Sequence, residues 1–281
     1  MKRHYLVATV VIAAFVLATV SCGNSDSEPA VSGLEDGVYF AQQDGFSPDN
    51  GWKYMVTIVV SDGKIADVEW NGANVKAGPS KIELSAAGGY PMVAVGGAQS
   101  EWYEQAALVD EYLIEVQDPA KITYSSEDGT TDAISGVSIH INEFVELAAE
   151  AIAGGPVGLG PYKDGSYSAE ADEFPSSGWK DKVDITVISG RIVAAYWNPV
   201  NADGADKYET SALGNYGMVQ NGGAQAEWDV QADRVVAKLL ETQDPTAISW
   251  DAEGKTDAIS GVSIHVNAFF ELAQKALSDA R

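Results

Sequence analysis

The sequence predicts an α+β fold that occurs twice in succession, and three observations predict it. Stretches dense in β-branched residues are separated by turn residues, apolar residues then return at helical spacing, and the whole order recurs. Asp36-Gly37 returns as Asp164-Gly165, Gly51-Trp52-Lys53 as Gly178-Trp179-Lys180, and Trp70-Asn71 as Trp197-Asn198. Gly96-Gly97-Ala98-Gln99 with Glu101-Trp102 returns as Gly222-Gly223-Ala224-Gln225 with Glu227-Trp228, and Gln117-Asp118-Pro119 as Gln243-Asp244-Pro245. The segment TDAISGVSIH stands unchanged at 131–140 and 256–265. The offset between copies drifts only from 128 to 125 residues. A period that long makes each copy a domain rather than a solenoid repeat.

Within each copy the order of elements is the same. Residues 54–60 (YMVTIVV) and 183–188 (VDITVI) read as strands, because Val, Ile and Thr fit a pleated surface. Turns follow at Ser61-Asp62-Gly63-Lys64 and Ser189-Gly190-Arg191, then second strands over 65–70 and 192–197, so each pair predicts a hairpin. The stretches 71–97 and 198–223 are rich in Gly, Asn and Ser and show little periodicity. Helical spacing returns over 102–115 and 228–240. After each Gln-Asp-Pro a short strand is predicted, over 122–124 and 248–250, and a final helix over 139–153 and 264–276. Hairpin, helix, strand and helix thus fill 34–153 and again 162–281, with 154–161 (GGPVGLGP) as a linker.

The first residues predict an address. Lys2, Arg3 and His4 precede an uncharged apolar run from Leu6 to Val20, too short for a comfortable membrane span of about 20 residues. Ser21 then precedes Cys22, the one cysteine of the chain. The arrangement resembles a bacterial lipoprotein signal, with Thr19 where that pattern prefers Leu. The resemblance implies a signal peptide over 1–21, lipidation at Cys22 and a location on the extracytoplasmic face of a bacterial membrane. Two acyl chains suffice for stable anchoring. Residues 22–33 read as a flexible tether.

Composition excludes several classes. With 17 Lys and Arg against 41 Asp and Glu, the net charge is −24, and no nucleic-acid partner is expected. A single cysteine permits no intramolecular disulfide. Apart from His4, the histidines are His140 and His265, and no further ligands cluster near them in sequence, so no metal site is expected. No nucleophile–base–acid constellation appears, so no catalytic residues are predicted.

The repeated segment is the candidate site. In both copies a turn, Ser135-Gly136-Val137-Ser138 or Ser260-Gly261-Val262-Ser263, is predicted to enter a helix. A helix start offers unpaired N–H groups and partial positive charge, Gly allows close backbone approach, and Ser supplies a hydroxyl. Those are the parts of a phosphate site. They also suit an ordinary helix cap, with Ser138 and Ser263 as N-caps.

The segments Asp132 to Ser138 and Asp257 to Ser263 resemble the motif of the FMN-binding domain family. That motif reads Asp, two variable residues, Ser or Thr, Gly, Ala, then Thr or Ser. The family includes FMN-carrying subunits of sodium-pumping NADH:quinone reductases and Rnf complexes, and flavinylated surface lipoproteins with tandem domains. The resemblance implies two tandem FMN-binding-type domains, with Asp132, Ser135, Gly136, Asp257, Ser260 and Gly261 in the cofactor loops. In covalent members a flavin transferase joins the FMN phosphate to the hydroxyl of the last Thr or Ser, here Ser138 and Ser263. Val137 and Val262 replace the usual Ala, and Ser is less frequent than Thr as acceptor, so covalent and noncovalent FMN both stay open.

An isoalloxazine ring needs a flat, mostly apolar slot with a few polar contacts. Tyr90 and Tyr216, Met92 and Met218, Gln99 and Gln225, and Trp102 and Trp228 stand at matching positions to provide it, or to pack the core. Lys81 and Lys207 also correspond, either facing a phosphate or solvated. The resulting expectation is a membrane-anchored flavoprotein carrying FMN in each domain, an electron carrier more than a turnover enzyme, with redox proteins as partners. The alternative is a noncatalytic surface lipoprotein of the same fold that binds a partner or small ligand without flavin.

Overall fold

The computed structural model describes residues 33–281; the signal, Cys22 and all but the last residue of the tether lie outside them. Each repeat builds a three-stranded antiparallel sheet, ordered β1(Gly37–Gln42)-β2(Trp52–Ser61)-β3(Lys64–Asn74) in the first and β4(Gly165–Glu170)-β5(Lys182–Ile188)-β6(Arg191–Trp197) in the second. The hairpins follow the sequence reading. Asp62 and Gly63 have φ of 55° and 71°, and Ser189 and Gly190 have 54° and 72°, the left-handed pair a two-residue turn requires. The Asp-Gly repeat is explained by the same turns. Asp36 accepts a hydrogen bond from Gly63 N at 2.8 Å, and Asp164 accepts one from Gly190 N at 2.7 Å. The strand that each Asp-Gly begins, β1 or β4, lies outside the predicted hairpins.

The helices of the first repeat are α1(Lys81–Ala86), α2(Met92–Gly96), α3(Trp102–Val116) and α4(Asn142–Gly154); those of the second are α5(Lys207–Ala212), α6(Met218–Gly222), α7(Trp228–Thr242) and α8(Asn267–Ala276). α3 and α4 cover one face of the first sheet, where Val56, Ile58, Val109, Leu113 and Phe144 form its core. α7 and α8 cover the second sheet around Ile185, Val235, Leu239 and Phe269. The opposite sheet faces meet each other through Met55, Ala73, Ile188, Val193 and Ala194. β2 is thus buried on both faces, as a run that is apolar from Tyr54 to Val60 except at Thr57 implies. The result is four layers, helix–sheet–sheet–helix, in one compact unit from Gly33 to Arg281.

Three expectations need correction. Residues 122–124 and 248–250 form no strand; neither stretch pairs with a neighbouring strand, and the first follows a 3-10 turn at Pro119–Lys121. The stretches after the hairpins hold short helices, two in each repeat, rather than loop alone. The last helices begin at Asn142 and Asn267, later than the predicted 139 and 264. The linker 154–161 is tied down as well: Val157 N donates to Val38 O at 2.8 Å and Gly160 N to Ser189 O at 2.9 Å. No helix among the described residues is long and apolar enough to cross a membrane.

Candidate functional site

Several repeated residues hold the fold together. Gln117 ends α3 in a left-handed conformation, and its amide exchanges hydrogen bonds with both backbone groups of Ile65, at 2.8 and 2.9 Å. Gln243 does the same with Ile192. Glu101 accepts from Met92 N and Val93 N at the start of α2, and Glu227 from Met218 N and Val219 N at the start of α6. Much of the repeat is therefore accounted for by turn and cap chemistry.

The loop carrying the serines remains. Thr131 and Thr256 pin it by donating to Thr123 O and Ser249 O, at 2.7 and 2.8 Å. Gly136 and Gly261 take φ of +87° and +73°, which Gly adopts without strain. The serine does not cap the following helix. Ser138 N and Oγ both donate to Gln105 Oε1, at 2.7 and 3.2 Å, and Ser263 does the same to Gln231. Ile139 N joins the first cluster, and Ile141 N donates to Gly129 O. These bonds consume the N–H groups a helix at 139 would have left open, which delays α4 to Asn142. The predicted helix-start phosphate cradle at Ser138 and Ser263 is therefore replaced by a serine oriented by a buried glutamine. Gln105 and Gln231 are each 1% exposed, and the sequence reading missed both.

A cavity of about 500 Å³ opens in the second repeat. Trp179, Trp197, Tyr216, Met218 and Trp228 form its apolar walls, and Asp181, Lys207, Lys255, Ser263 and His265 its polar ones. Lys207 Nζ stands 4.6 Å from the Trp228 ring, 4.9 Å from Tyr216 and 5.9 Å from Trp179. Burial lowers its pKa to about 8, with the Asp181 carboxylate opposing the shift. Burial also raises Asp181 above the usual carboxylate range, against the hydrogen bond it accepts from Trp197 Nε1 at 2.8 Å and the charge of Lys207.

The first repeat keeps the same aromatic box and closes it. Lys81 Nζ lies 4.4–5.0 Å from the rings of Trp52, Tyr54, Tyr90 and Trp102 and donates to Tyr54 Oη at 2.6 Å. Lys81 is 1% exposed, and burial lowers its pKa to about 7, opposed by Glu143. Tyr54 stands where the second repeat has Asp181, and its ring stacks on Trp102 at 6.1 Å. Trp70 Nε1, the counterpart of the indole that Asp181 binds, is buried without a hydrogen-bond partner.

Of the predicted residues, Tyr216, Met218, Trp228, Lys207 and Ser263 come together around the cavity. Tyr90 joins the closed box, and Met92 packs against the first core. Gln99 and Gln225 are exposed in the turns after α2 and α6 and reach neither site. Asp132, Ser135, Gly136, Asp257, Ser260 and Gly261 are exposed on the outer side of the loop, and the last three do not line the cavity. Among the described residues no three His, Cys, Asp or Glu side chains are grouped to hold a metal ion.

No family model and no curated protein matches the chain. Similar solved structures include a solution NMR structure of a protein from Clostridium thermocellum and a crystal structure of a protein from Clostridium perfringens, both structural-genomics targets. The first is 58% identical over 42% of this chain and 91% of its own, and the second 27% identical over 42% and 88%. The TM-score is 0.34 for each.

Proposed function

We propose that the protein is a membrane-anchored extracytoplasmic flavoprotein that carries FMN for electron transfer, with the second repeat's cleft as its working site. The observation that carries this reading is an aromatic-walled cavity of about 500 Å³ whose rim holds the motif serine, Ser263. That size lies within the usual range for small-molecule sites. The residues present fit the cofactor: Trp179 and Tyr216, both partly exposed, offer ring surface for stacking, and Lys207 and Lys255 offer positive charge to a phosphate. Gln231 fixes the Ser263 hydroxyl at the position from which it would meet that phosphate. Bound flavin supplies the redox chemistry; the protein binds and orients it and keeps water from its ring. The lipoprotein-type signal ending at Cys22 supports the membrane location, and a flavin transferase and redox proteins are the partners the reading requires.

A second reading is favoured by the first repeat. Its motif is intact but its box is filled by Lys81 and Tyr54, so a repeat of this fold stands without space for a flavin ring. Extended to both repeats, that is a ligand- or partner-binding lipoprotein without flavin.

The test is FMN titration of the full chain, read by flavin fluorescence, with intact-mass measurement after coexpression with a flavin transferase. The proposal expects quenching that Lys207→Met weakens, and, for covalent attachment, one FMN mass increment removed by Ser263→Ala. Absence of both quenching and mass increment overturns it in favour of the second reading.

A further inference from the structure

A second cavity, of about 470 Å³, lies between the repeats and shares a single lining residue, Trp197, with the cleft just described. Phe46 and Val75 of the first repeat face Ala195, Ala232, Val236 and Leu240 of the second across it. Its origin can be read from the repeat. Val236 stands where the first repeat has Asp110, whose carboxylate accepts from the edge-strand Trp70 N at 3.1 and 3.3 Å. Ala195 stands where the first repeat has Val68. The second repeat therefore lacks both the polar plug and the bulk that occupy these positions in the first.

The interior is apolar and the charge sits at the rim. Lys76 Nζ and Glu209 pair across the repeats at 3.0 Å, both exposed. Asp233 accepts hydrogen bonds from Tyr208 Oη at 2.9 and 3.0 Å. The groups that act on its charge are that hydroxyl and the Asp229 carboxylate, with no cation among them. Burial holds the Asp233 carboxyl above its ordinary range. With Lys76 matched by Glu209, the lining carries one unmatched negative charge. Its complement is a monocation with an apolar body.

We infer that this crevice binds a small hydrophobic amine, the apolar part between α7 and the first repeat and the ammonium at the rim beside Asp233. A largely apolar pocket with a few converging polar groups is what such ligands occupy.

The test uses the full chain and three probes of similar size by isothermal titration calorimetry: phenethylamine, 2-phenylethanol and phenylacetate. Phenethylamine is expected to bind at one site, about fivefold more tightly than the alcohol at low salt, the upper end for a surface ion pair. Phenylacetate is expected not to bind. Ala237→Phe, at an exposed wall position of α7, should abolish binding with the circular dichroism spectrum unchanged. Asp233→Asn should remove the preference for the amine while leaving the alcohol's affinity unchanged. Absence of phenethylamine binding overturns the inference. So does amine binding that survives Ala237→Phe, or a preference that survives Asp233→Asn.

Discussion

The first repeat folds its lysine away under four aromatic rings, whereas the second leaves the corresponding lysine at the wall of a cavity. Trp52, Tyr90 and Trp102 of the first box have counterparts in Trp179, Tyr216 and Trp228, so the rings do not cause the difference. One position does much of it. Asp181 engages the Trp197 indole and leaves the space beside Lys207 open; Tyr54 fills that space, binds Lys81 and leaves the Trp70 indole unpaired. Lys81 is 1% exposed and Lys207 is half-buried. A repeated motif therefore does not guarantee a repeated site, because the motif lies in the loop and the access lies in the strand.

The comparison yields tests of decreasing size. Trp102→Ala and Trp228→Ala, each removing a core indole, should cost about 3–5 kcal/mol of stability in denaturant titration. The two losses should be similar, yet only Trp228→Ala should remove FMN binding. Equal effects on FMN would erase the distinction between the repeats.

Next comes the buried charge of Lys81. The unfolded chain holds that proton up to pH 10.5 and the folded chain only to about 7, so between them the unfolded state binds more protons and stability rises with pH. Relative to Lys81→Met, the native chain should gain up to about 1.4 kcal/mol per pH unit across that window. The ring faces around the ammonium reduce the gain by stabilising the charged form. The corresponding comparison for Lys207→Met should start near pH 8 and, over that narrower window, sum to less. Parallel stability curves for native chain and Lys81→Met would contradict the closed box.

A smaller effect is expected where the sheets meet. Thr57 Oγ1 and Ser189 Oγ hydrogen-bond across the repeats in a buried setting. Ser189→Ala should cost about 1–3 kcal/mol by leaving the Thr57 hydroxyl unpaired, and adding Thr57→Val should recover part of it. The smallest effect belongs to Lys76→Ala, which removes an exposed ion pair and should cost under about 1 kcal/mol, vanishing in high salt.

Much of the fold was legible because its signals are local. The two-residue turns, the β-branched runs of β2 and β5 and the helical spacing of α3 and α7 each announce themselves within a few residues. What stayed hidden depends on distant partners. β1 is a strand because it pairs with β2, and 122–124 is not one because nothing pairs with it. The late start of α4 is set by Gln105, far upstream of Ser138. The site divides in the same way. Ser263, Tyr216, Met218 and Trp228 could be read from the repeat, but closure by Tyr54 could not, since it depends on where a β2 side chain meets α1 and α3. The mismatch of Tyr54 with Asp181 inside an otherwise repeated Gly-Trp-Lys context was the one signal available.

The most direct test of the account is the number of flavins bound per chain, measured by stoichiometric FMN titration of the native protein beside Tyr54→Asp. The account predicts one FMN per native chain, held in the second repeat, and two in the variant, whose new carboxylate can accept from the Trp70 indole and open the first box. Two equivalent flavins in the native chain, or none, would contradict it.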